Sequence, residues 1–169
     1  MAPAGDLTIR TLRSSEVDAI YQLSEDLGLS RWSRSDLLKE IEHSESCMLF
    51  AELEQQPVGF IIGRKIPGTD ENTFDAEIYN VGVVTRCQKR GTGGELIDRF
   101  LKWAKVNKVV NVWLEVRAAN SSAIRFYNRH GFEEFVTRKG FYSDPVDDAI
   151  VMRAEISEYY NVLNKESLK

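Results

Sequence analysis

The chain has 169 residues, of which 43% are hydrophobic, 28% charged and 10% aromatic, and its net charge is −4. That length suits one domain able to bury roughly two thirds of its unfolded surface, and the apolar share excludes a disordered or collagen-like chain. No run approaches the ~20 apolar residues that span a bilayer. The opening Met1-Ala2-Pro3-Ala4-Gly5-Asp6 lacks the basic and apolar regions of a signal peptide. Cys47 and Cys87 make no Cys-x-x-Cys pair, and two distant histidines, His43 and His130, are too few for a zinc site, so no metal is expected. The acidic balance disfavours a broad nucleic-acid surface. The expectation is a cytoplasmic domain with neither a membrane nor nucleic acid as a direct partner. Local basic clusters at Arg86, Lys89 and Arg90, and at Arg138 and Lys139, read as solvated faces.

Leu7 to Arg13 alternates apolar and polar residues and predicts a strand. Ser14 or Ser15 then caps a helix with Val17, Ile20, Tyr21 and Leu27 in its stripe, and Ser33-x-x-Asp36 opens a second with Leu37, Leu38 and Ile41. Cys47 to Glu52 and Val58 to Lys65 read as strands joined by a hairpin at Glu54-Gln55-Gln56-Pro57, and Phe74 to Val84 as a long strand after a loop. From Gly93 the period becomes helical, with Leu96, Ile97, Phe100, Leu101 and Ala104 on one face. Val109 to Val116 is a strand with Val112, Leu114 and Val116 on one side and Trp113 and Glu115 on the other. Asn120 or Ser121 caps a helix with Ala123, Ile124 and Tyr127 inward, and Gly131 suits its end. Phe132 to Thr137 and Ala149 to Arg153 are the last strands. The predicted class is α+β, with a mixed, mainly antiparallel sheet flanked by helices. One domain is expected over residues 1–156, with 157–169 a polar tail that frays or forms a loose helix.

The most informative segment is Val81-Gly82-Val83 followed by Gln88-Lys89-Arg90-Gly91-Thr92-Gly93-Gly94. A strand runs into a glycine-rich turn that opens a helix, where unpaired N–H groups and the positive dipole end favour a phosphate. Lys89 and Arg90 add charge at the rim. A P-loop needs Lys-Ser/Thr after its last glycine, but Gly94 is followed by Glu95-Leu96. A dinucleotide fingerprint fits Gly91 and Gly93, fails at Leu96, and sits mid-chain with too little sequence left for a second half. A glycine inside the strand, Gly82, hints at close ligand approach.

Gln88-Lys89-Arg90-Gly91-Thr92-Gly93 resembles the pyrophosphate loop of the GCN5-related N-acetyltransferases. The run from Trp113 through Tyr127, with Gly131-Phe132, Trp32-Ser33 and Asp148 to Met152, is similar to the branch that acetylates the N-terminal alanine of ribosomal proteins. The resemblance implies the family's acyltransferase fold, acetyl-coenzyme A as acetyl donor, and a protein or peptide N-terminus as acceptor, a ribosomal protein among the candidates. Its alternatives are a small-molecule amine or lysine acceptor, or a non-catalytic acyl-coenzyme A sensor. A monomer or weak dimer is expected.

By the same resemblance, Glu115 is the general base and Tyr127 the acid for the departing thiolate. Val81, Gly82 and Val83 line the acetyl and pantetheine portion, Lys89, Arg90, Gly91, Thr92, Gly93 and Gly94 hold the pyrophosphate, and Asn120 contacts the coenzyme. Trp32 and Tyr142 belong to the acceptor site. An α-amine, with a pKa near 8 against about 10.4 for lysine, is easier to deprotonate by roughly 3 kcal/mol, so a modest base working through water suffices. Taken alone, Glu115 is a solvated strand-end charge, Tyr127 a core tyrosine and Asn120 a helix cap. Two positions depart from the branch: Cys87 replaces a common aromatic residue, and Phe141-Tyr142 replaces a Tyr-Tyr pair.

Overall fold

A computed structural model of the chain describes residues 6–29 and 32–160. These form two compact units, one made of the described residues up to Lys65 with Ile78–Trp103, the other of Ile66–Glu77 with those from Ala104 onward. One strand, Phe74–Val83, gives its second half to the first unit and its first half to the second. The class is α+β, as the sequence predicts.

The first unit holds β1 (Leu7–Thr11), α1 (Val17–Asp26), α2 (Arg34–Glu42), β2 (Ser46–Leu53), β3 (Gln56–Pro67) as far as Lys65, the end of β4 (Phe74–Val83) and the start of α3 (Thr92–Val106). β1 and β3 both pair antiparallel with β2. The β2–β3 turn is two residues long, with Glu54 and Gln55 both left-handed at φ 51° and 62°. That backbone matches the right-handed strand twist, although neither residue is glycine. The helix entry differs from expectation. Ser14–Glu16 is a 3-10 turn, and no serine hydroxyl caps α1. The Glu16 carboxylate accepts the Arg13 N–H at 2.9 Å and pairs with Arg10, which also reaches Glu52 at 2.9 Å. A multiply bonded carboxylate outcompetes two exposed hydroxyls.

At α2 the expected capping box is present: Ser33 Oγ accepts the Asp36 N–H at 3.1 Å, and Asp36 accepts the Ser33 N–H at 3.2 Å. Its buried face is Leu37 and Glu40, whereas Leu38 is exposed. The core joins Leu12, Val17, Ile20, Leu23, Leu37, Met48, Phe50, Phe60 and Ile62. Leu96, Ile97, Phe100 and Leu101 of α3 are fully buried, each worth about 1.5–3 kcal/mol.

The second unit holds the start of β4, β5 (Val109–Arg117), α4 (Ser121–Arg129), β6 (Glu133–Ser143) and β7 (Val146–Glu155). β7 pairs antiparallel with both β5 and β6. Val112, Leu114 and Val116 are buried while Trp113, Glu115 and Arg117 are half-buried, so the predicted alternation holds. The last two strands run well past the predicted ends. The Asp148 carboxylate accepts the Gly140 N–H at 2.9 Å and the Lys139 ammonium at 2.7 Å. It thereby keeps β6 paired through a bulge in which Gly140 is left-handed at φ 59°. The tail opens with a helical stretch at 156–160; the rest of its predicted course lies outside the described residues.

Candidate active site

In the first unit, β4 delivers Val81, Gly82 and Val83, and a 3-10 turn at Thr85–Cys87 leads into the glycine loop. A Cβ on Gly82 would lie 2.7 Å from Phe60 Cε1, 2.9 Å from Leu29 Cδ1 and 3.1 Å from Leu27 Cδ1. Packing alone therefore accounts for this glycine, a reason that the sequence does not disclose. Lys89 and Gly91 are left-handed at φ 58° and 93°, which turns the chain sharply into α3. The first intrahelical bond runs from Glu95 N–H to the Gly91 carbonyl at 3.0 Å. The N–H groups of Thr92, Gly93 and Gly94 precede it and have no helix carbonyl to bind. Thr92 is buried, Gly93 and Gly94 are half-buried, and Lys89, Arg90 and Gly91 are exposed. The loop has the parts that an anionic pyrophosphate needs: oriented donors, a helix dipole and two cations.

Trp32 packs against Tyr79 of β4, the ring centroids 5.8 Å apart and the planes inclined at 46°. With Tyr21, Glu25, Ser33, Arg34 and Ser35 it lines a cavity of about 510 Å³ at the start of α2. Arg34 lies 3.9 Å above the Tyr21 ring and bonds Asp18 at 2.5 Å. Cys87 is buried and so is Cys47, whose thiol burial pushes up to about 12, leaving it no thiolate at neutral pH.

In the second unit, Glu115 stands on the face of β5 opposite the buried valines and leucine. Its side chain is 26% exposed and forms an ion pair with Arg138 of β6. Arg138 also lies 4.2 Å above the Phe141 ring. The Arg138–Lys139 cluster is exposed, as the sequence predicts, and each of the two also pairs with a carboxylate. Tyr142 packs under Arg117 at 4.0 Å, and Arg117 donates to the carbonyls of Asp144 and Pro145 at 3.1 and 3.0 Å. Burial, and next the Glu115 charge, raise the Tyr142 phenol.

Asn120 caps α4, its Oδ1 accepting the Ala123 N–H at 3.1 Å, and Gly131 ends the helix at φ 81°. Tyr127 of α4 meets the buried Phe132 ring edge-on at 5.7 Å. Burial pushes its phenol up to about 12, so it stays protonated at neutral pH and is available as a proton donor. The α4 stripe is partly covered, and none of its residues is fully buried.

Sequence reasoning missed Glu77. It lies two residues beyond the buried Asp75, which accepts from Asn111 N–H and Nδ2 at 3.2 Å and from Trp113 Nε1 at 2.8 Å. Asp75 meets Trp113, and the period of two in each strand then puts Glu77 and Glu115 on that same face. Its carboxyl is raised by burial and then by the Glu115 charge, with Arg138 acting against both. No local signal marks this residue, because strand adjacency is not written in a single sequence.

These elements compose the acyltransferase fold of the N-acetyltransferases. The structure superposes on Arabidopsis thaliana NAA60 in complex with acetyl-CoA with a TM-score of 0.81, covering 90% of this chain and 99% of that one, a likeness of fold at 20% identity. The ribosomal-protein-S18-alanine N-acetyltransferase from Escherichia coli gives a TM-score of 0.77 at 25% identity, over 89% of this chain and 94% of the other. The sequence is 28% identical over 152 residues to the [ribosomal protein bS18]-alanine N-acetyltransferase of Salmonella typhimurium, covering 89% of this chain and 98% of that protein. Residues 17–132 match the acetyltransferase (GNAT) family, and the chain belongs to it.

Proposed function

We propose that the protein is an acetyl-coenzyme A-dependent N-acetyltransferase acting on the N-terminal α-amine of a protein, with a ribosomal N-terminal alanine as the first acceptor to test. One observation carries the reading: the family match spans the glycine loop, β5 and α4, and the loop has the backbone that a pyrophosphate requires. The likeness to enzymes named for a ribosomal alanine supports the acceptor class. The acetyltransferase domain runs over residues 1–156.

In this reading the N–H groups of Thr92, Gly93 and Gly94, with Lys89 and Arg90, hold the pyrophosphate, Asn120 contacts the coenzyme, and Val81–Val83 line its acyl arm. When bound, acetyl-coenzyme A supplies a thioester. The acceptor nitrogen forms the new C–N bond as the C–S bond breaks. Glu115, through water, takes the amine proton, and Tyr127 gives its proton to the departing sulfur. Trp32 and Tyr142 orient the acceptor peptide.

The test is thiol release from acetyl-coenzyme A with two peptides. One has a free N-terminal alanine and no lysine; the other has a blocked N-terminus and one internal lysine. Turnover of the first alone supports the proposal. Turnover of the second alone replaces the acceptor, and silence with both, despite coenzyme binding, points to a small amine or a sensor. Glu115→Gln is expected to lower kcat by about 100-fold or more.

A further inference from the structure

We propose that Arg138 is a positioning residue for acetyl transfer, the counter-ion of Glu115 on a face of the sheet that Glu77 shares. The proposal rests on Glu115 acting as the base, and it concerns what fixes the charge around that base. Glu115 is opposite Val151, and Ala149 is opposite both Arg117 and Arg138, so one face of the sheet carries all five residues. The side chain of Arg138 crosses β7 beside the small Ala149 to reach the Glu115 carboxylate. The β6 bulge sets the approach. Between Arg138 and Tyr142, Lys139, Gly140 and Phe141 of β6 stand against the single Asp148 of β7, which holds Lys139 and Gly140.

The charged and titratable groups on this face are Asp75 and Glu77 from β4, Glu115 and Arg117 from β5, Arg138 and Tyr142 from β6, and Asp147 and Arg153 from β7, with Asp75 bonded to Asn111 and Trp113 and Arg153 set over the Trp113 and Phe135 rings. Arg117 is engaged with the Tyr142 ring and two carbonyls, and Asp147 accepts the Ala119 N–H at 3.1 Å. Arg138 is the cation in contact with Glu115. Two neighbouring carboxylates resist double ionisation, and a proton on the cluster goes first to the member that burial already favours keeping neutral. That member is Glu77, whose carboxyl the Glu115 charge raises and Arg138 holds down. Arg138 thus sets how far the pH must rise before the cluster can accept the proton of an incoming ammonium.

The experiment compares wild type, Arg138→Gln and Arg138→Lys in the full chain. It reads the carboxyl titration of Glu77 by NMR and the pH profile of kcat/KM with the alanine peptide. In Arg138→Gln the Glu77 midpoint and the acidic limb should both move up by about one pH unit, the low end for a lost charge partner because the Arg138 side chain is 52% exposed. KM for acetyl-coenzyme A should stay within about threefold, and Arg138→Lys should restore most of both shifts. An unmoved Glu77 midpoint, with the fold intact by thermal melt, overturns the cluster whatever the activity does. A moved midpoint with an unmoved acidic limb overturns its role in the reaction. Failure of the base reading is separate: Glu115→Gln would then keep the wild-type rate, while the titration of Glu77 still answers for Arg138.

Discussion

The Glu40–Arg64 pair shows how firmly α2, and with it the cavity beside Trp32, is anchored to the sheet. Glu40 is 2% exposed and accepts from Ser46 Oγ and from the Arg64 guanidinium, whose Nε lies 3.0 Å away. Burial opposes its charge, yet the hydrogen bonds of Arg64 and Ser46 hold its carboxyl below the ordinary 4.5. In Arg64→Met the charge loses its partner, and the cheapest response is for Glu40 to take up a proton. At pH 7 that costs about 1.4 kcal/mol for each unit between the pH and the unfolded value, or about 3 kcal/mol. The sign follows from linkage. In the wild type the lowered carboxyl contributes stability above its unfolded value that is lost as pH falls through the folded one; in the variant a raised carboxyl makes protonation favourable earlier. The gap between the two proteins should therefore shrink by about 1.4 kcal/mol per unit from pH 7 toward 5. Urea unfolding at three pH values reads it, with Arg64→Met/Glu40→Gln expected to recover most of the loss. A penalty under about 1 kcal/mol at pH 7, or one that does not change with pH, refutes the account.

Gly82→Ala drives a methyl into Phe60 and Leu29, and thermal or urea unfolding should show a loss of about 1–3 kcal/mol. An unchanged midpoint would mean that the three side chains move aside freely. Tyr127→Phe removes a proton donor that burial keeps neutral to about pH 12. It should lower kcat by about 100-fold at pH 7 and leave the acidic limb of the profile where it is; steady-state rates from pH 6 to 9 would check both.

The local elements whose signals are complete within a few residues are legible in the sequence. The Ser33–Asp36 box, the Asn120 cap, the Gly131 stop and the alternation of β5 each depend on neighbours one to four positions away, and each is present. The glycine loop was legible for the same reason, and so was the membership that its motif suggested. Two expectations differ from the structure: at α1 a competing local partner, the Glu16 carboxylate, displaces the serines, and on α2 a buried Glu40 takes the place expected for Leu38. Burying a glutamate there requires Arg64, 24 residues away, which no helical period announces. The extension of β6 depended likewise on Asp148, and the counter-ion of Glu115 on a side chain reaching across an intervening strand. These outcomes follow from the fold, because the energy of a buried or shared charge belongs to the pair, and tertiary packing brings the pair together.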